Sequence, residues 1–382
     1  MRESKHMEVQ ARGSIHLPQA QAFVEWLLKH WREEGVQVQP VGEDGLRLAL
    51  VDVGSVELHV SKRRLHCTLE GVTPRMLELM QLSLAEHLAE YADSVGWPED
   101  SWRVAWEGDT PRQHARLHVM QVLQSQRISP CMQRLRLGGN DVAALVQGGL
   151  HVRLLLPNRD SEPAWPMVLP DGRLQWQPGQ QRMAKRTYTL RAVDTPQGWI
   201  EIDALLHGDA EPKNSADAVA SNGPGAYWAA HAQVGSSVGV LAPAGGLLPQ
   251  AHRCIVVADA CALPAAARIV QAQEGGLPAQ VLLWVADGRE QAAWGLPEQQ
   301  AQVSWLYGGL PGASQLEIAQ VLQWLAQALS AVVSGSSFTG NAQSATLLWV
   351  AGGLPLTQAV RRWLSAQPPQ EGMRVMVQTY WR

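Results

Sequence analysis

Near His252 the hydrophobic period of this chain changes, and that change limits the folds open to it. Before it, from about His114 to Leu248, short segments alternate apolar with polar residues: Leu117–Val122, Gln133–Leu137, His151–Leu156, Thr187–Val193, Trp199–Leu206 and Ser237–Leu241. Half-buried strands cut by Gly, Pro and Asp at this spacing predict a closed, six-stranded antiparallel barrel. After it, Cys254–Ala258, Val281–Val285, Val303–Tyr307, Thr346–Val350 and Arg374–Val377 are apolar runs of the kind buried on both faces. Helical patterns at Ala262–Ala272, Ser314–Val333 and Leu356–Ala366 lie between them, so strand and helix alternate and the segment reads as a parallel α/β sheet with crossovers. The polar stretches Asp209–Asn222 and Ser334–Ser344 read as mobile loops.

Residues up to about Trp97 read as a separate small α+β unit. Pro18–Trp31 carries apolar residues at helical spacing, Gly45–Val60 alternates around Val53-Gly54 as a hairpin, and Thr73-Pro74 caps a second helix running to Tyr91. The expected division is therefore 1–100, 112–250 and 251–382, which a chain of 382 residues accommodates.

Composition removes several classes of function. With 31 basic against 35 acidic residues the net charge is -4, and no global field favours nucleic acid. The four cysteines show neither C-x-x-C spacing nor a partnering His cluster, which argues against zinc, iron–sulfur and disulfide sites. Met1–Gln10 has charge without an apolar core, and no apolar run approaches the roughly 18 residues of a membrane span, so a cytoplasmic location is expected. Aromatic usage is lopsided, with 16 Trp against 5 Tyr and 2 Phe; Trp keeps a donor at its rim and suits a groove for an aromatic ligand.

Four short motifs carry the chemistry. In Lys185-Arg186-Thr187-Tyr188-Thr189-Leu190-Arg191, residues two apart share a strand face, so Arg186 and Tyr188 project together. A guanidinium pairs bidentately with phosphate and a phenol ring can lie against a flat heterocycle. In Gly223-Pro224-Gly225-Ala226-Tyr227-Trp228-Ala229, small residues open a helix whose amides favour a pyrophosphate. Ala258-Asp259-Ala260-Cys261-Ala262-Leu263-Pro264-Ala265 falls at the first strand-to-helix turn of the parallel segment, where open sheets bind ligands. Trp349-Val350-Ala351-Gly352-Gly353 ends a later strand, and Thr379-Tyr380-Trp381-Arg382 closes the chain. No G-x-G-x-x-G follows a strand.

In this order, over about His114 to Arg382, the motifs resemble those of the siderophore-interacting proteins, flavin-dependent ferric-siderophore reductases. The resemblance implies a ferredoxin-reductase-like architecture: a FAD-binding barrel followed by a domain for NADH or NADPH. It places Arg186, Thr187, Tyr188, Thr189, Asp203, His207, Gly223, Gly225, Ala226, Trp228, Asp259 and Cys261 at the cofactors. It places Arg153, Tyr380, Trp381 and Arg382 at an anionic ferric siderophore. No general acid, nucleophile or resident metal is required, because the cofactor carries the redox chemistry. The chain departs from the family pattern at Ala226, Ala244, Ala260 with Cys261, and Gly353, where the family has Ser, Arg, Glu with Thr, and Glu; Arg136 is a candidate for the missing basic charge. Two alternatives follow: a degenerate flavin- or siderophore-binding protein with little turnover, or a reductase exchanging electrons with a ferredoxin-like partner. The N-terminal segment resembles an uncharacterised bacterial domain fused ahead of such proteins; its Ser61-Lys62-Arg63-Arg64 run is a solvated turn or an anion dock.

Overall fold

The structure is a computed structural model that describes residues 9–33, 36, 38–42, 45–50, 53–98, 101–109, 116–146, 149–158, 162–169, 173–206, 215–244, 248–249, 251–273, 278–308, 314–334, 346–368 and 372–381. They fall into two compact units: Met1–Leu117 with Glu162–Arg182 and Leu241–Pro243, and His118–Ser161 with Met183–Val240 and Ala244–Arg382. The grouping differs from the three expected segments, since barrel and parallel sheet form one unit and a stretch of the middle segment belongs to the first.

In the first unit, strands β1 (Val9–His16), β2 (Val38–Val41), β3 (Gly45–Leu50), β4 (Gly54–Ser61), β5 (Arg64–Gly71) and β6 (Val104–Gly108) form one sheet in the order β2-β3-β4-β5-β1-β6. Helices α1 (Ala20–Glu33) and α2 (Pro74–Ser94) supply Phe23, Leu27, Leu77, Leu84 and Leu88 to its core. The expected cap is present: the Thr73 hydroxyl accepts from the Met76 amide at 3.2 Å, with Pro74 in the first turn. Lys62 and Arg63 form the β4–β5 turn and are exposed, with Lys62 at φ 55°. Strands β1, β2, β5 and β6 were not anticipated. Gly13 lets β1 in: a Cβ there would meet the Cys67 sulfur at 2.5 Å and the Trp106 ring at 2.8 Å.

In the second unit, β7 (Arg116–Ser129), β8 (Met132–Gly138), β9 (His151–Leu156), β12 (Ala184–Asp194), β13 (Trp199–Leu205) and β14 (Ser237–Ala244) close into a barrel in the order β12-β13-β8-β7-β14-β9. The short helix α3 (Val142–Val146) follows β8. The ribbon β10 (Met167–Val168) and β11 (Leu174–Gln175), between β9 and β12, belongs to the first unit. Helix α4 (Ser215–His231) occupies much of the expected loop; residues 207–214 lie outside the described residues. Its Ala-rich composition has high helix propensity, which the Gly and Pro at its centre obscured.

Strands β15 (Arg253–Asp259), β16 (Ala279–Val285), β17 (Ala301–Tyr307), β18 (Thr346–Gly353) and β19 (Met373–Trp381) run parallel in the order β17-β16-β15-β18-β19. Helices α5 (Leu263–Gln271), α6 (Gln315–Ser334) and α7 (Leu354–Ser365) lie between them in sequence. β15 and β18 are buried nearly throughout, as doubly covered strands require. The barrel residues Met132 and Leu150 share a core with Val256, Leu283 and Trp349 of the sheet. The expected loop over Ser334–Ser344 lies almost wholly outside the described residues.

Candidate functional site

The first two motifs meet. Helix α4 is broken at Gly223, whose φ of 69° and ψ of 157° are non-helical, and Pro224 starts a fresh turn. A Cβ on Gly225 would lie 2.6 Å from the Tyr188 hydroxyl and 3.4 Å from Cγ of Arg186. Strand β12 and the helix start thus approach closely at Gly225, where a larger residue would have to displace the Tyr188 hydroxyl. Arg186 is exposed and donates from Nη1 to the Lys185 carbonyl at 2.8 Å, while burial pushes the Tyr188 phenol upward. An exposed guanidinium, a phenol and a helix start make a cradle of groups that can hold an anion. Thr187 is exposed beside them. The residues present fit a flavin dinucleotide.

Other expected cofactor residues have different partners. Asp203 accepts from Arg134 Nε and Nη2 at 2.7 and 2.8 Å, with Arg191 Nε at 3.8 Å, and its side chain is fully buried. It therefore closes a cross-strand ion pair between β13 and β8. Thr189, Ala226 and Trp228 are buried. Arg136, the candidate for the missing basic charge, is held by Glu201 at 2.6 Å and lies 4.2 Å over the Trp199 ring. Arg153 sits opposite Thr187 in the β9–β12 register, and burial lowers its guanidinium to about 10. His207 and Arg382 lie outside the described residues.

Asp259, expected at the cofactors, is the centre of a hydrogen-bond cluster at the end of β15. Its Oδ1 accepts from the amides of Cys261 and Ala262 at 3.0 and 3.1 Å; its Oδ2 accepts from the Gly353 amide at 2.8 Å and the Trp381 indole at 2.7 Å. A carboxylate has about four acceptor positions, and all are filled by protein. Burial pushes this carboxyl up, opposed by the indole and the amides. One side chain thereby ties the β15–α5 turn, the β18–α7 turn and the last described strand together. Gly352 and Gly353 are required by that closeness: a Cβ would meet Asp259 Oδ2 at 2.6 Å or the Trp381 ring at 2.5 Å. Cys261 lies in the same turn, its thiol pushed up by burial and by Asp259.

Tyr380, like Trp381, has partners within the protein: its hydroxyl is 2.9 Å from His151 Nε2 and its ring packs edge-on to Trp349. Burial, with the charge of Arg268, holds His151 down at about 4. Further ties join barrel to sheet and were invisible in the sequence. Buried Glu290 accepts from the Ser129 hydroxyl at 2.6 Å and the Cys131 amide at 2.9 Å. Arg191 donates to Gln271 at 3.0 Å and the Trp294 carbonyl at 3.3 Å, and Arg268 donates to the Leu190 carbonyl at 2.5 Å.

An antiparallel barrel followed in the same chain by a five-stranded parallel sheet is the architecture expected of a flavin-dependent oxidoreductase. The comparisons with known proteins narrow this. Residues 121–247 match the siderophore-interacting FAD-binding domain and residues 251–382 match the siderophore-interacting protein family. The chain belongs to that family. It is 26% identical over 228 residues to the ferric vibriobactin reductase ViuB of Vibrio cholerae, covering 57% of this chain and 78% of that protein. A siderophore utilization protein from T. fusca is 29% identical with a TM-score of 0.52, covering 70% of this chain and 93% of its own. The siderophore-interacting protein SipS from Aeromonas hydrophila, 23% identical with a TM-score of 0.51 over 70% of this chain and 92% of its own, shares the fold. Among the described residues no helix is long and apolar enough to cross a membrane.

Proposed function

We propose that this chain reduces ferric siderophores with electrons from NADH or NADPH, and that it works in the cytoplasm. The observation that carries the reading is the cradle in which Arg186 and Tyr188 close on Gly225. Arg186 and the helix start would hold the pyrophosphate of FAD, and Tyr188 would lie against its ring system. When bound, FAD would accept electrons in pairs from a nicotinamide and release them singly to iron. Arg153 would supply positive charge for an anionic ferric chelate. Hard oxygen donors grip Fe(III) tightly and Fe(II) less so, so one electron loosens the metal. Asp259, holding three segments of chain, would keep the sheet end of the site fixed between the two half-reactions.

The test uses purified protein. Reductase function predicts that FAD is taken up and that its absorbance near the visible maximum bleaches anaerobically with NADH or NADPH. Adding a ferric siderophore should restore the colour. Protein that takes up no FAD would defeat the proposal. Trp381 over Gly353, the position of a family Glu, favours a second reading with slower turnover; it predicts FAD uptake with bleaching but little reoxidation by iron. Bleaching by reduced ferredoxin alone would instead identify a protein electron donor.

A further inference from the structure

Strands β16 and β17 end side by side at the carboxyl edge of the parallel sheet, with Val285 paired to Tyr307 and the Gly308 amide donating to the Val285 carbonyl at 3.0 Å. At that edge stand three groups outside the flavin cradle: Asp287, Arg289 and Tyr307. We propose that they seat the adenosine end of the nicotinamide dinucleotide and that Arg289 reads the ribose 2′ position, so that NADPH is preferred to NADH. The inference rests on the reductase reading above and names the electron donor within it.

The place follows from topology. The chain builds β16 and β17 on one side of β15, and β18 and β19 on the other, so the strand order reverses between β15 and β18. An open parallel sheet binds its nucleotide outside the carboxyl ends at such a reversal. A side chain past the neighbouring strand then reads the ribose: a carboxylate for the 2′-hydroxyl, an arginine for a 2′-phosphate. The Asp259 cluster lies at the reversal, and Asp287 and Arg289 follow β16, the neighbouring strand. The ends of β16 and β17 are one and two strand spacings from β15, about 5 and 10 Å, within reach of the adenosine half of a dinucleotide lying there.

The chemistry of the three groups decides between the two nucleotides. Asp287 Oδ1 accepts from the Arg289 amide at 2.8 Å and from its Nε at 3.0 Å; Oδ2 accepts from Nε at 3.2 Å and Nη2 at 2.6 Å. A carboxylate has about four acceptor positions, so none remains for a ribose hydroxyl, and the guanidinium cancels the charge that would repel a phosphate. Asp287 is therefore a prop. It holds Arg289 by one edge while that side chain stays 76% exposed, and Nη1, which takes no part in these bonds, is available to a phosphate oxygen. Tyr307 supplies a surface for the base. It is 47% exposed and its hydroxyl accepts from Gln291 Nε2. Gly288 brings no side chain beside it: a Cβ there would lie 3.9 Å from the Tyr307 hydroxyl. An aromatic face stacks on a base, and stacking is indifferent to the 2′ substituent.

The experiment titrates the full-length protein with two fragments of the dinucleotide, adenosine 2′,5′-bisphosphate and 5′-AMP, by calorimetry, which needs neither FAD nor turnover. Wild type should bind the bisphosphate about tenfold more tightly, the gain from a charge-assisted phosphate contact. Arg289→Gln should bring the two affinities together by weakening the bisphosphate alone. Tyr307→Ala should weaken both fragments by a similar factor, and Tyr307→Phe, which keeps the ring, should weaken neither. Equal affinities in wild type, a ratio that survives Arg289→Gln, or full binding by Tyr307→Ala overturns the proposal. If FAD is taken up and bleached but neither fragment binds, this seat is wrong and the flavin reading stands. If FAD is not taken up, the flavin reading falls while the fragment ratio still decides whether Arg289 reads the 2′ position.

Discussion

Asp259→Asn separates a structural centre from a ligand contact. The asparagine can keep its oxygen toward the Cys261 and Ala262 amides, as an Asx turn does. Its NH2 group then faces the Gly353 amide and the Trp381 indole, which now donate at 2.8 and 2.7 Å to an oxygen. Two buried donors lose their acceptor and meet a third donor. Each hydrogen bond to a charged acceptor is worth about 1.5–3 kcal/mol, and relief from burying the carboxylate offsets part of the loss, so the net cost is about 4 kcal/mol. For a unit of this size that lowers the melting temperature by about 10 °C. Trp381→Phe removes one donor and leaves the other three bonds to the carboxylate, costing about 2 kcal/mol. The double variant should cost less than the sum of the singles, because the indole has no acceptor left to lose. Calorimetry of the four proteins measures this. Additive singles, or an Asp259→Asn shift below about 2 °C, would show that the four-bond arrangement does not hold these turns.

Further outcomes follow from the same geometry. Gly225→Val should weaken FAD binding at least tenfold in a fluorescence titration, since its Cβ would lie 2.6 Å from the Tyr188 hydroxyl, while circular dichroism stays unchanged. His151 is held near 4 against an ordinary 6.5, so the unfolded chain takes up a proton between those values and the folded chain does not. Its contribution is complete above about pH 6.5 and is lost as pH falls toward about 4, by up to about 3 kcal/mol; urea unfolding should show His151→Gln less sensitive to pH over that window. Asp203→Ala should destabilise by about 3 kcal/mol, because half-buried Arg134 and buried Arg191 both lose the carboxylate, with Arg134→Leu/Asp203→Leu recovering part of the loss in thermal melts.

The strand pattern was legible because it depends on local periodicity. A barrel strand such as Gln133–Leu137 alternates, a doubly covered strand such as Cys254–Ala258 does not, and either pattern survives without knowing the partner strand. The meeting of Arg186 with Tyr188 was legible for the same reason, since both lie two apart on one strand. What was not legible depends on register. Arg134 and Asp203 are directly opposed between β8 and β13, yet 69 residues separate them in sequence, and a sequence offers Asp203 equally to a cofactor. Glu290 lies in an ordinary polar turn until the fold brings Ser129 to it. Residues 162–182 are a third case: they fall inside the expected middle segment, and only packing groups them with the N-terminal unit.

The departures from the family pattern around Asp259 have a common physical origin. Gly353 stands where the family has Glu, and the space beside its Cα is filled by the Trp381 ring. That ring is held there by Asp259, which also needs the bare Gly353 amide for its fourth bond. A side chain at 353 would have to displace the indole, and displacing the indole would leave Asp259 with an empty acceptor position in a buried place. Glycine at 353 and the Trp381–Asp259 bond are thus one arrangement. The same reasoning covers Ala260 and Cys261. The turn that offers its amides to Asp259 is fixed through its backbone, so its side chains can shrink without loosening it. The sheet end of the site is held by a backbone-and-indole frame. The exposed cation among the cradle residues is Arg186, on β12.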